Sequence, residues 1–202
     1  MNEGSKVSIR SAVPIRLDNG VVSHFITFHG LADGKEHLAV VFQGKKTAEA
    51  PLVRVHSECL TGDVFKSQRC DCGHQLSEAM NTFSETGGVL LYLRQEGRGI
   101  GLYNKLDAYR LQTEDGLNTY DANRKLHLPD DARDYAVAAQ MLMALGMTEI
   151  KLLTNNPDKV SGLQNHGIAV VEVIPTGTYK TPDNESYLRA KKVQTGHTLK
   201  IG

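Results

Sequence analysis

The chain has 202 residues, enough for one large domain or two small ones, and a globular chain of this length buries roughly 70% of its unfolded surface without disulfide staples. Hydrophobic residues make up 40%, tryptophan is absent and aromatics are 6%, a composition that argues against stacking platforms for single-stranded nucleic acid. With 23 basic and 23 acidic residues the chain carries no net charge, so the global footprint of a nucleic-acid binder is missing. Lys180 and the pair Lys191–Lys192 read as a solvated face. No apolar run reaches the ~18 residues of a membrane helix, and Met1–Lys6 has no apolar stretch of the kind that opens a signal peptide. The expected location is therefore the cytoplasm, with no membrane partner.

In chain order, strands are predicted over Ala12–Leu17, Ser23–Phe28, His37–Phe42 and Pro51–His56, with Gly-bearing turns between most of them. Gly73–Thr86 spaces Leu76, Met80 and Phe83 as a helix does. Val89–Leu93 follows as a strand. Arg98–Glu114 reads as a helix with Leu102, Leu106, Tyr109 and Leu111 on one stripe. Ala132–Leu145 has the best amphipathic pattern, with Asp130 and Asp131 as candidate caps and Gly146 closing it. Ile150–Leu153, Pro157–His166 and Ile168–Ile174 read as strand, helix and strand, with Asn155 or Asn156 capping and Pro157 in the first turn. Strand–helix–strand spacing predicts a parallel unit. The expected fold is α/β: a three-layer α/β/α arrangement with a mixed sheet, antiparallel at its N-terminal end and ending in a parallel βαβ unit. One domain is expected to span residues 1–202.

All three cysteines, Cys59, Cys70 and Cys72, fall within 14 residues, in Arg54-Val-His-Ser-Glu-Cys59-Leu-Thr-Gly-Asp63 and Arg69-Cys70-Asp-Cys72-Gly-His74. An odd number cannot all pair within one chain, and thiolates are strong zinc ligands. Three protein ligands plus an open position describe catalytic zinc, whose water ionises near pH ~7 and supplies hydroxide. Two bland readings stand beside it. Buried cysteine is a common small hydrophobe, although the neighbours here are polar. His56 or His74 would complete a closed structural site instead.

Gln95-Glu96-Gly97-Arg98-Gly99-Ile100-Gly101 links a predicted strand to a predicted helix. It reads equally as a plain turn or as an anion cradle, and the planar fork of Arg98 suits phosphate. Asp130-Asp131-Ala-Arg133-Asp134 reads first as helix capping. Thr154-Asn-Asn-Pro157 and Lys159 lie at a strand end, where open α/β sheets collect ligands, and a lysine in a first helical turn opposes the dipole.

Together these segments resemble GTP cyclohydrolase II: residues 54–63, Arg69–Gly73, Arg94-Gln-Glu-Gly-Arg98 with Ile100-Gly-Leu102, and Leu152-Leu-Thr-Asn-Asn-Pro157. The resemblance runs from about Pro14 to His197. It implies opening of the GTP imidazole ring by hydrolysis of cyclic amidine C–N bonds. Formate leaves from C8 with loss of pyrophosphate, giving 2,5-diamino-6-ribosylamino-4(3H)-pyrimidinone 5′-phosphate, the first committed step of riboflavin biosynthesis. It implies one Zn²⁺ per subunit on Cys59, Cys70 and Cys72, Mg²⁺ with the triphosphate, and a homodimer. Arg54, Val55, His56, Ser57, Glu58, Gln75, Glu96, Gly97, Arg98, Thr119, Thr154 and Lys159 match substrate contacts of the family. Asp131 matches its proton acceptor, Arg133 its proposed nucleophile and Tyr109 a tyrosine tied to ring opening. Tyr109 also fits an apolar stripe, and a protonated guanidinium stabilises charge more readily than it attacks. The sequence departs from the family at Gly99 and at Lys125-Leu126-His127, away from these positions. Two further readings are a zinc-stabilised nucleotide-binding module without turnover, and a relative that supplies the same product to another pathway.

Overall fold

The computed structural model describes residues 7–44, 50–181 and 183–184; Lys191 and Lys192 lie outside them. The strands are β1 (Ser8–Arg16), β2 (Val22–His29), β3 (Leu38–Phe42), β4 (Leu52–Ser57), β5 (Gly88–Leu93), β6 (Glu149–Leu153) and β7 (Ala169–Ile174). They form one sheet in the order β1-β2-β3-β5-β4-β6-β7. β1–β2, β2–β3 and β3–β5 pair antiparallel, whereas β4–β6 and β6–β7 pair parallel. The mixed α/β sheet is thus as expected, and every strand expectation lands on an observed strand. The largest boundary difference is β1, which starts at Ser8 rather than Ala12.

The helices are α1 (Leu60–Asp63), α2 (Cys72–Thr86), α3 (Leu102–Glu114), α4 (Thr119–Lys125), α5 (Ala136–Ala144) and α6 (Pro157–Asn165). Two begin later than the apolar pattern suggests. α3 starts at Leu102, not Arg98, because Gly97, Arg98, Gly99 and Gly101 all have positive φ (62°, 60°, 88° and 90°). A left-handed residue cannot propagate a right-handed helix, so 96–99 form a tight 3₁₀ turn instead. α5 starts at Ala136, not Ala132, because aspartates capture backbone donors locally. Asp131 Oδ1 accepts from Arg133 N (3.0 Å) and Asp134 Oδ1 from Ala136 N (2.8 Å). Neither Asp130 nor Asp131 caps the helix. α4 was not expected; Asn118 caps it by accepting from Tyr120 N and Asp121 N. The Asn156 cap and Pro157 start of α6 are as the sequence implies.

By internal packing the chain divides into two units. Among the described residues, the first holds 7–44, 50–56, 78–94 and 134–175, and the second 57–77, 95–133, 176–181 and 183–184. In the first, strand alternation sorts side chains onto the two sheet faces. Ala39, Val53, Val55, Val89, Leu91, Leu93, Ile150 and Leu152 pack with Val137, Ala138, Met141 and Leu142 of α5 and Leu163 of α6. On the opposite face Phe42 meets Phe83 of α2, with ring centroids 5.9 Å apart. Helices therefore lie on both sides of the sheet. In the second unit Ala108 and Leu111 of α3 pack with Ala122 of α4. Among the described residues no helix is long and apolar enough to cross a membrane.

Candidate metal centre and its surroundings

The thiol cluster is built by a turn and a helix start. Asp63 Oδ2 accepts from Cys59 N (3.0 Å) while Asp63 N donates to Cys59 O (2.7 Å), closing the single turn α1 beneath Cys59. Cys72 opens α2, with Cys70 just before it. The three sulfurs lie within 4.8 Å of one another, and Cys59 Sγ is 3.6 Å from Cys70 Sγ. Tetrahedral zinc with Zn–S bonds of about 2.3 Å sets its sulfurs about 3.8 Å apart. Gly62 backs the cluster: a Cβ there would stand 2.8 Å from Cys70 Sγ and 3.2 Å from Cys59 Sγ. Gly62→Ala is therefore expected to push the sulfurs apart, costing about 1–3 kcal/mol of stability and weakening metal uptake. Thermal unfolding and zinc titration check both, and unchanged values would free Gly62 of this role.

The donor set also suits a dication electrostatically. Neighbouring Cys70 and Cys72, together with the Lys105 ammonium, push the Cys59 thiol down. The Cys59 sulfur beside them, reinforced by burial, pushes Cys70 up to about 11 and Cys72 up as well. A bound dication favours the ionised form of all three thiols. Neither histidine considered for a closed structural site belongs to the ligand group found among the described residues. His74 stacks on Tyr179 (5.2 Å) and His56 on Tyr92 (5.5 Å). Among the described residues the candidate ligand group is the three cysteines.

Lys105 of α3 is buried against this cluster. Its Nζ donates to Cys59 Sγ (3.2 Å), Thr61 Oγ1 (2.9 Å) and Glu96 Oε1 (2.8 Å). Glu96 in turn accepts from Gly97 N and, through Oε2, from Leu60 N (2.6 Å). Tyr109, one turn beyond Lys105, is half-buried between two cations: Lys105 Nζ lies 5.5 Å and Arg69 Cζ 5.0 Å from its ring centroid. The buried face of α3 is Lys105, Ala108 and Leu111, whereas Leu106 is exposed. Tyr109 thus stands beside the cation rather than in an apolar stripe. Sequence reasoning missed Lys105, because apolar periodicity is blind to a buried lysine.

Also in this unit, the Gly97–Gly101 turn and the 130–133 segment come together. Ala132 N donates to Arg98 O (2.9 Å), and a Cβ on Gly99 would meet Ala132 backbone at 3.0 Å. Arg98 lies over the ring of buried Tyr120 (4.8 Å), a platform the sequence did not suggest. Arg133 grips Asp131 through Nε (2.9 Å to Oδ1) and Nη2. Burial works to raise the Asp131 carboxyl, but the Arg133 hydrogen bonds and charge, with Arg98 behind, hold it below its ordinary value. Thr119 opens α4, half-buried, and Gln75 donates to Asp71 (2.7 Å). Ser57 and Glu58 also belong to this unit.

In the first unit, Arg54, Val55, His56, Thr154 and Lys159 gather at the carboxyl ends of β4 and β6. Arg54 Nη1 donates to Leu153 O (3.0 Å) and Lys159 Nζ to Val55 O (2.7 Å). Thr154 Oγ1 accepts from Asn156 N (3.0 Å). Arg54, His56, Thr154 and Lys159 are all buried, an unusual concentration of polar groups at strand ends.

Comparison with known proteins bears on both units. The family model described as GTP cyclohydrolase II matches residues 9–175. A GTP cyclohydrolase-2 of Vibrio cholerae is 53% identical over 198 residues, covering 98% of this chain and 100% of that protein. One of Psychromonas ingrahamii is 50% identical, covering 98% of each. A riboflavin biosynthesis protein RibBA of Bacillus cytotoxicus is 51% identical over 185 residues, covering 89% of this chain and 46% of that protein.

Proposed function

The chain belongs to the GTP cyclohydrolase II family of enzymes, and from that premise we propose that it opens the imidazole ring of GTP, releasing formate from C8 and pyrophosphate. The product in this reading is 2,5-diamino-6-ribosylamino-4(3H)-pyrimidinone 5′-phosphate, committed to riboflavin. The observation that carries the proposal is the cluster of Cys59, Cys70 and Cys72, whose sulfurs converge within 4.8 Å with no fourth ligand in the group among the described residues. Their spacing and charge fit one zinc ion per subunit. Zinc bound there supplies Lewis acidity and lowers the pKa of water at its open position.

The chain's own residues supply binding, orientation and charge. Arg54, Val55, His56, Ser57, Glu58, Gln75, Glu96, Gly97, Thr119, Thr154 and Lys159 are proposed substrate contacts. Arg98 is proposed at the phosphates, a role supported by its planar fork and its seat on Tyr120. Arg133 is proposed to stabilise charge at the α-phosphate as pyrophosphate departs. Its pairing with Asp131 supports that role over nucleophilic attack, since a carboxylate partner favours the protonated guanidinium. Asp131, kept ionised, is proposed to accept a proton. Tyr109, flanked by Lys105 and Arg69, is proposed to orient the opened ring before formate leaves. Mg²⁺ on the triphosphate, a homodimer, one catalytic domain over 1–202 and cytoplasmic residence complete the reading.

The test is direct. Zinc-loaded protein incubated with GTP and Mg²⁺ is expected to yield formate, pyrophosphate and the diaminopyrimidine in equal amounts. GTP binding without formate would reduce the chain to a nucleotide-binding module.

A further inference from the structure

We propose that Lys105 is a positioning residue of the metal centre: its ammonium, fixed against the Cys59 sulfur, draws charge from that ligand and so keeps a trithiolate-bound metal electron-poor. The inference rests on the metal reading above. Three thiolates around a dication leave the site with a net negative charge, and each sulfur donates electron density that weakens the metal as a Lewis acid. A charge-assisted hydrogen bond to one sulfur offsets that donation. Lys105 is placed for it. Its Nζ is 3.2 Å from Cys59 Sγ, and its other two donors are spent on Thr61 Oγ1 and Glu96 Oε1, so the head group is pinned on three sides.

A purely structural ion pair is the competing account, and the geometry argues against it. A buried lysine–glutamate pair is readily replaced by apolar packing and is weak grounds for keeping a cation inside. Here Glu96 is anchored independently by the Leu60 and Gly97 amides. Lys105 is 8% exposed, and the three bonds of its ammonium draw the sulfur, the α1 hydroxyl and the 3₁₀ turn to one point. Partners that orient and polarise metal ligands typically contribute ~10–100-fold in metal affinity or activity.

The experiment replaces zinc with cobalt(II) in the full-length protein and reads the sulfur-to-cobalt charge-transfer band. Lys105→Met is expected to move the band to lower energy, since a sulfur stripped of its cation gives up an electron more easily. Formate release is expected to fall ~10–100-fold with little change in KM for GTP. Lys105→Arg, which keeps the charge, is expected to hold the band near its wild-type energy and recover part of the rate. Lys105→Gln, which keeps a neutral donor, is expected to fall between. A band at the wild-type energy in a folded Lys105→Met or Lys105→Gln protein, with folding checked by circular dichroism, overturns the proposal. So does failure of both neutral variants to fold, which would make Lys105 a folding residue. If wild-type protein takes up neither cobalt nor zinc, the metal reading itself has failed. If it is metallated and the band is insensitive to residue 105, only this inference falls.

Discussion

Cys70→Ser is expected to purify without stoichiometric zinc and to release formate at least about 10³-fold more slowly than wild type, since Lewis-acid activation contributes several kcal/mol. Cys70 is 4% exposed and its sulfur stands 3.6 Å from that of Cys59. A serine oxygen there is a poor zinc ligand at neutral pH, because its hydroxyl stays protonated. Two thiolates would remain, one still held by Lys105. The binding free energy of such a centre is partly folding free energy, so the unfolding temperature should drop as well, and added zinc should restore little of it. Metal analysis, thermal unfolding and formate release are measured on one preparation. Normal zinc content with normal turnover would remove the cysteines from the chemistry.

The second large effect is expected at Arg133. Arg133→Met should slow pyrophosphate and formate release by about 10²–10³-fold, the usual cost of removing one donor aimed at developing charge. Arg133→Lys separates the two roles considered for this residue. A charge stabiliser should survive in part as lysine, without the two-pronged grip of a guanidinium. If Lys and Met variants are equally inactive, the charge role is wrong. The same substitution changes the pH profile in a defined sense. In wild type, Arg133 and Arg98 outweigh burial and keep the Asp131 carboxyl below its ordinary value. A depressed carboxyl contributes stability that is present above the unfolded pKa of about 3.9 and lost as pH falls through the folded value. Asp131 should therefore impose no acid limb on turnover near neutrality. In Arg133→Met burial acts with less opposition, and the acid limb should move upward in pH.

The regular parts of the fold were legible for a simple reason. The strands show as short apolar runs set off by turn residues, and α2 and α6 carry their apolar residues at helical spacing with capping signals at α6. What could not be read was backbone chemistry that overrides periodicity. Four turn residues with positive φ between Gly97 and Gly101 delay α3, and Asp131 and Asp134 divert the donors that would have started α5 early. The metal ligands were legible because three cysteines stand close together in polar company. Lys105 and Tyr120 were not, since nothing local distinguishes a lysine or tyrosine committed to a buried contact from one at the surface. Gly62 was equally silent: its reason lies in how closely Cys59 and Cys70 approach it in space.

Arg98 holds φ at +60° with a full side chain, a conformation that costs a non-glycine residue roughly 1–2 kcal/mol. Glycine would sit there without strain, as it does at Gly97 just before. A selection for heat resistance that ignored turnover would thus be drawn toward Arg98→Gly, recovering stability by discarding the guanidinium over Tyr120. Engineering for robustness and engineering for catalysis pull this one position in opposite directions.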